Sequence, residues 1–200
     1  EGEWKEDEPQ GHGVVRRGPK KSKGLVGTEH DGEVFSSAYH GQIECGIPSG
    51  LGVLEIFREL TVETYIGQFE GSKPHGYISR EVKDLIGQLI VSQVGQFRQG
   101  MPCGFVTVTY RNGKKVIQRF RHGKVAKEWF FDLQGKFKES RQAAEDLMMP
   151  AMKAMQRAQQ KAKLANERAA EARRLEEAAQ QLDRWQAHRQ MSAELPAIGS

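Results

Sequence analysis

From Tyr39 to Gly52 the chain reads Y-H-G-Q-I-E-C-G-I-P-S-G-L-G, with an aromatic residue two places before Gly41, Ile43 two places after it, and further glycines at Gly46, Gly50 and Gly52. Residues two apart on an extended chain share a face, so aromatic, glycine, apolar at i, i+2, i+4 describes a strand with a gap in its packed side. The glycine leaves room for a neighbouring ring. Five residues further on, the next glycine falls where the chain must reverse, and glycine accepts the positive φ of a tight turn. Each copy of this pattern predicts one β-hairpin.

The pattern recurs in Tyr65, Gly67, Phe69, His75 and Gly76, with Gly71 one place early, and in Gly95, Phe97, Gly100, Gly104 and Val106. Gly2, Trp4, Gly11 and Gly13 echo it at the start of the chain. Gly41 and Gly67 are 26 residues apart and Gly67 and Gly95 are 28 apart, a period that signals stacked repeats. Departures are local: Asp7 and Ser72 stand at turn glycines, Gln93 at a leading aromatic, and Ile78 and Val106 at a final glycine. A fifth copy around Phe120 and Gly123 has Gln118 at the key glycine position. The expected packing positions are Trp4, Tyr39, Gly41, Ile43, Tyr65, Gly67, Phe69, Gly95 and Phe97.

These residues resemble MORN repeats, whose pattern is roughly Y-x-G-x-F/W-x-x-G-x-x-x-G-x-G, over about two thirds of the chain. The resemblance implies successive antiparallel β-hairpins forming an elongated sheet. It also implies scaffold roles at cell-cortex, membrane-junction, cytoskeletal or ciliary structures, or companionship to lipid-kinase or methyltransferase domains. Phospholipid binding has been proposed for some members. A repeat identifies an architecture, and function has to be argued from sites.

The organisation expected is a repeat region over residues 1–132 with an insertion at about 16–33, a linker at 133–137, a long helix at 138–195 interrupted at Pro150, and a tail at 196–200. Strand-like runs are Leu51 to Phe57, Thr61 to Phe69, Leu85 to Val91, Phe105 to Tyr110 and Lys115 to Phe120, with a reversal at Asn112 and Gly113. Trp129, Phe130 and Phe131 are expected to cover the last sheet edge or its joint with the next element. Because Glu1 falls inside the first repeat, the natural protein is expected to extend further towards its N-terminus.

In the last third, Ala144, Met148, Ala151, Met155, Ala158, Ala162, Ala165, Ala169 and Ala172 alternate spacings of four and three, an a/d stripe on one helix. At roughly 1.5 Å per residue such a helix looks too long to fold back wholly onto a small sheet. The expectation is docking in trans, on a partner or on a second copy, through Met155, Ala162, Ala169, Leu175, Leu182 and Trp185.

Thirty Lys and Arg against 26 Asp and Glu give a net charge of +4, which makes an acidic surface the more natural partner. Arg16, Arg17, Lys20, Lys21 and Lys23 gather in the insertion, a solvated loop or a contact for anionic lipid. No aromatic is interleaved with them, which argues against nucleic acid. Cys45 and Cys103 provide no disulfide framework or zinc spacing, which suits a reducing, intracellular compartment. No apolar run reaches the roughly 20 residues of a membrane span.

No phosphate loop, metal-binding histidine pair or nucleophile motif occurs, and the carboxylates around His30 (Glu29, Asp31, Glu33) lack the calcium-loop pattern. No catalytic residue, metal or cofactor is therefore expected. The reading is a non-catalytic scaffold subunit of a cytoskeletal, ciliary or organellar complex. A membrane-associated adaptor and the regulatory part of a larger enzyme are the alternatives.

Overall fold

The computed structural model describes residues 2–5, 8–18, 34–121, 123–130 and 141–193, with side chains for residues 10–18, 34–121, 123–130 and 149–186. Lys20, Lys21, Lys23, the His30 cluster, Phe131, the linker at 133–137, the tail and the side chain of Trp4 lie outside the described residues. Ten antiparallel strands pair strictly in chain order: β1 (Gly2–Lys5), β2 (Glu8–Arg17), β3 (Val34–Glu44), β4 (Ile47–Arg58), β5 (Thr61–Glu70), β6 (Lys73–Asp84), β7 (Leu89–Arg98), β8 (Met101–Tyr110), β9 (Lys115–Arg121) and β10 (Lys124–Phe130). One helix follows, α1 (Arg141–Ala193).

Each repeat is a hairpin, and the fifth copy, β9 with β10, is one too despite Gln118. The predicted turns at Gly46, Gly100 and Asn112–Gly113 are present, and Gly46, Gly100 and Gly113 all have positive φ. Two expected boundaries move. Arg16 and Arg17 belong to β2, paired with Ala38 and Ser37, so the insertion begins after them. Leu85 to Gln88 form the β6–β7 turn rather than a strand, closed by hydrogen bonds from Gly87 N to Asp84 O (3.0 Å) and from Asp84 N to Gln88 O (3.0 Å).

The strand register divides the side chains between two faces. Val15, Tyr39, Leu54, Tyr65, Arg80, Gln93, Val108, Val116 and Phe130 form one cross-strand row. On this aromatic face Tyr39, Ile43, Leu54, Ile56, Tyr65, Phe69, Ile78 and Phe97 make one buried cluster. The rings interleave between repeats: Tyr39 meets Phe69 edge-on at 5.1 Å, and Tyr65 meets Phe97 at 6.4 Å.

The other row is Val14, His40, Val53, Ile66, Ser79, Val94, Thr107, Ile117 and Trp129. Over it lies α1, which touches every strand from β1 to β8 and reaches Ile117 and Trp129 through Ala151. Trp129 thus covers the joint between sheet and helix. This corrects the expectation that the alanine stripe docks in trans: the helix crosses the strands instead of running along them, so the stretch from Ala151 to Glu176 lies on its own sheet. Ten strands about 4.8 Å apart make a sheet about 43 Å wide. From Ala151 near β9 to Glu176 near β2 the helix advances about 38 Å. Its a/d step of about 5.2 Å nearly equals the strand spacing, so small residues recur along the helix at about the interval at which strands pass beneath it. Ala151, Ala154, Ala158, Ala165, Ala169 and Ala172 are all buried there. Pro150 lies within the helix and does not end it.

Candidate interaction surfaces

The aromatic face is closed by its own chain. Beyond each key glycine the hairpin curls over: at Gly41 an added Cβ would run into the Leu51 carbonyl and Gly52 Cα, and at Gly67 into the Tyr77 carbonyl. The gap therefore admits the partner strand's backbone. Room for a ring is made by Gly52, whose added Cβ would overlap the Tyr39 ring. The Tyr39 hydroxyl donates to the Gln42 carbonyl at 2.9 Å, and burial pushes its pKa up.

The curl leaves an amide to satisfy, and the residue after each key glycine does so. Gln42 Oε1 accepts from Leu51 N at 2.6 Å, and Gln68 Oε1 from Tyr77 N at 3.4 Å. Gln96 occupies the same place beneath Gly104. The recurrence of Gln after Gly41, Gly67 and Gly95 is visible in the sequence and was the missed signal. Successive curls are tied by Ser72 N to Pro48 O and Gly100 N to Pro74 O, both 2.9 Å.

A buried ionic cluster lies among the rings. Glu63 accepts from Arg58 Nε at 2.6 Å, Arg80 Nη2 at 2.9 Å and the Tyr65 hydroxyl at 3.0 Å. Arg80 Nη1 donates to Gln93 Oε1 at 2.7 Å, so the residue that breaks the aromatic pattern extends this network. Burial alone would raise the Glu63 pKa, but the charges and hydrogen bonds of Arg80 and Arg58 hold it below the ordinary value. The Tyr65 hydroxyl is raised, first by burial.

On the helix face, polar contacts flank the alanine stripe. Arg16 grips Glu176, Arg157 donates to the Tyr77 hydroxyl at 2.9 Å, His12 lies 3.6 Å from Glu171, and Arg173 lies 3.9 Å from Glu55. Of the basic candidates, Arg16 is thus engaged by the helix and Arg17 is exposed. The residues expected to dock in trans divide. Ala169 is buried on the face of α1 that meets its own sheet, and Met155, Ala162 and Leu175 are half-buried, while Leu182 and Trp185 are 55% and 56% exposed. The alanine part of the expected trans surface is therefore occupied within the chain. No helix among the described residues is long and apolar enough to cross a membrane.

A meandering sheet whose hairpins stack by interleaved rings and recurrent glycines defines a β-hairpin repeat architecture. The MORN repeat family matches the chain over residues 1–17, 39–55, 65–77 and 94–115. The chain is a MORN-repeat protein. No curated protein matches it.

Proposed function

We propose that this chain is a non-catalytic scaffold subunit that joins a larger protein assembly, cytoskeletal, ciliary or organellar, through the outer part of α1. One observation carries the reading. Beyond Glu176, which Arg16 ties to β2, α1 continues to Ala193 and presents Leu182 and Trp185 more than half exposed. Tryptophan is among the side chains most enriched at the energetic centres of protein contacts. The buried ionisable groups Glu63, Arg80, Tyr39 and Tyr65 are each engaged in packing contacts, which fits a role without catalysis.

The test is affinity capture of the tagged full chain under native conditions, quantified by mass spectrometry. Leu182→Glu with Trp185→Glu should remove stoichiometric partners while leaving the melting temperature unchanged. Retention of the same partners by this variant would reject the helix as the docking element.

A second reading, an adaptor on anionic lipid, is favoured by the opposite end of the hairpins from the curls. Leu60, Leu85 and Ile86 are 71%, 65% and 78% exposed in the β4–β5 and β6–β7 turns, at the sheet end where β2 leaves at Arg17 and β3 returns at Val34. Sedimentation with vesicles of neutral and of anionic lipid separates the readings, since electrostatic attraction needs the anionic kind.

A further inference from the structure

His40 on β3 has no role in the repeat's packing, and it stands in the row that α1 covers. It is 4% exposed, flanked across the sheet by Val14 and Val53, and its Nδ1 has no hydrogen-bond partner among the described residues. The charged groups around it come from three elements: Arg16 on β2, Glu55 on β4, and Arg173 and Glu176 on α1. They are already bound to one another, Arg16 to Glu176 and Arg173 to Glu55. His12 and Glu171 form a neighbouring contact on the same face.

We infer that His40 is an acid-sensitive latch, whose protonation releases the C-terminal half of α1 from β2, β3 and β4. An imidazolium here would be a charge placed between alanine and valine, beside two carboxylates whose nearest partners are arginines. A buried charge without its own counter-ion is costly. The helix is the layer able to yield, because alanine contacts bury little apolar area per residue. Residues over β2 to β4 would lift, while the end anchored by Trp129, Ile117 and Ala151 stays docked. Lifting exposes the C-terminal part of the alanine stripe together with Val14, His40 and Val53 beneath it, so a helix from another chain could then take either surface.

The direction of the pH dependence follows from the titration. Burial, and then the Arg173 charge, lower the His40 pKa from its ordinary 6.5. The docked state therefore resists the proton more than the released state. Docking is at full strength above the ordinary value and weakens as pH falls below it.

Hydrogen exchange of the full chain, corrected for intrinsic exchange with an unstructured peptide, should be followed between about pH 7.5 and about pH 5.5, the range in which histidine titrates. Acidification should raise exchange in residues 165–179 several-fold more than in residues 151–158. His40→Leu should abolish this difference, and His12→Gln should preserve it. An acid response equal in wild type and His40→Leu, or one abolished by His12→Gln, overturns the latch. If His40→Leu disturbs docking at neutral pH, the wild-type imidazole itself is titrated by nuclear magnetic resonance. Titration below the ordinary value, in step with loss of helix protection, supports the latch; titration at or above it overturns the latch.

Discussion

Arg16 on β2 and Glu176 on α1, 160 positions apart in sequence, meet fork to fork: Nε reaches Oε1 at 2.9 Å and Nη2 reaches Oε2 at 3.0 Å. This pair sits where the alanine stripe gives out, and it pins α1 over the second strand before the helix runs on to Ala193. Paired guanidinium and carboxylate geometry fixes direction as well as distance, so the contact sets the helix's angle across the sheet.

Arg16→Ala or Glu176→Ala should therefore loosen residues 172–180 selectively. Arg16 is 62% exposed, so solvent screening keeps the cost to about 1 kcal/mol or less. A double-mutant cycle read by denaturant unfolding and local hydrogen exchange checks this. Additive effects of the two substitutions would show that the pair does not act as a unit. Lipid tests of the basic segment need variants that leave Arg16 in place, because neutralising it also disturbs the helix.

Glu63→Gln should cost about 3 to 5 kcal/mol at neutral pH, since it leaves Arg80 without its buried counter-charge and removes a charged partner of Arg58. The Glu63 pKa is lowered from 4.5, so its contribution is present above that value and is lost as pH falls below it and through the folded-state value. Wild type and variant should converge in stability on acidification. Urea unfolding across that range measures it, and a gap that stays constant would place the stabilisation elsewhere.

The repeat glycines do different jobs, and substitutions should separate them. At Gly67, φ is +146° and an added Cβ meets the Tyr77 carbonyl, so Gly67→Ala should lose about 1 to 3 kcal/mol through overpacking and strain. At Ser72 the turn imposes φ +68° on a residue with a Cβ, so Ser72→Gly should raise stability by up to about 1 kcal/mol. Thermal melts of both variants decide. A Ser72→Gly variant less stable than wild type would mean that unfolded-chain entropy outweighs the turn strain.

How much was legible in the sequence follows from the range over which each signal acts. Tyr39, Gly41 and Ile43 announce their hairpin because a strand's period and a turn's φ are properties of a few consecutive residues. The same holds for Tyr65 with Gly67 and Asn112 with Gly113. The Gln42, Gln68 and Gln96 series was equally local, but its purpose appears only once the curled partner strand leaves an amide unsatisfied. Glu63 with Arg80 could not be paired from sequence, since only the register of β5 against β6 brings them together. The alanine stripe is legible as one face of a helix, but the surface that receives it is not. Ser79, Val94 and Thr107 form the receiving row, and each belongs to a different strand with no apolar run to mark it as a surface.

That receiving row leads to the last prediction. The helix fits because its a/d step of about 5.2 Å keeps pace with a strand spacing of about 4.8 Å, and because alanine lets helix and sheet approach closely. Ala165 is fully buried at the middle of this contact, whereas Ala170 on the same helix is exposed. Enlarging the first, Ala165→Leu, inserts three carbons where no space exists and should cost about 1 to 3 kcal/mol. Enlarging the second, Ala170→Leu, adds the same atoms to solvent and should change stability by less than about 0.5 kcal/mol. If the stripe measures strands as inferred, Ala158→Leu and Ala172→Leu should resemble Ala165→Leu, each displacing the helix over its own strand. Local hydrogen exchange resolves this, with protection falling first around the substituted position. Equal tolerance of leucine at Ala165 and Ala170 would mean that the helix rests on its polar flanks, and the matched spacing would then play no part in docking.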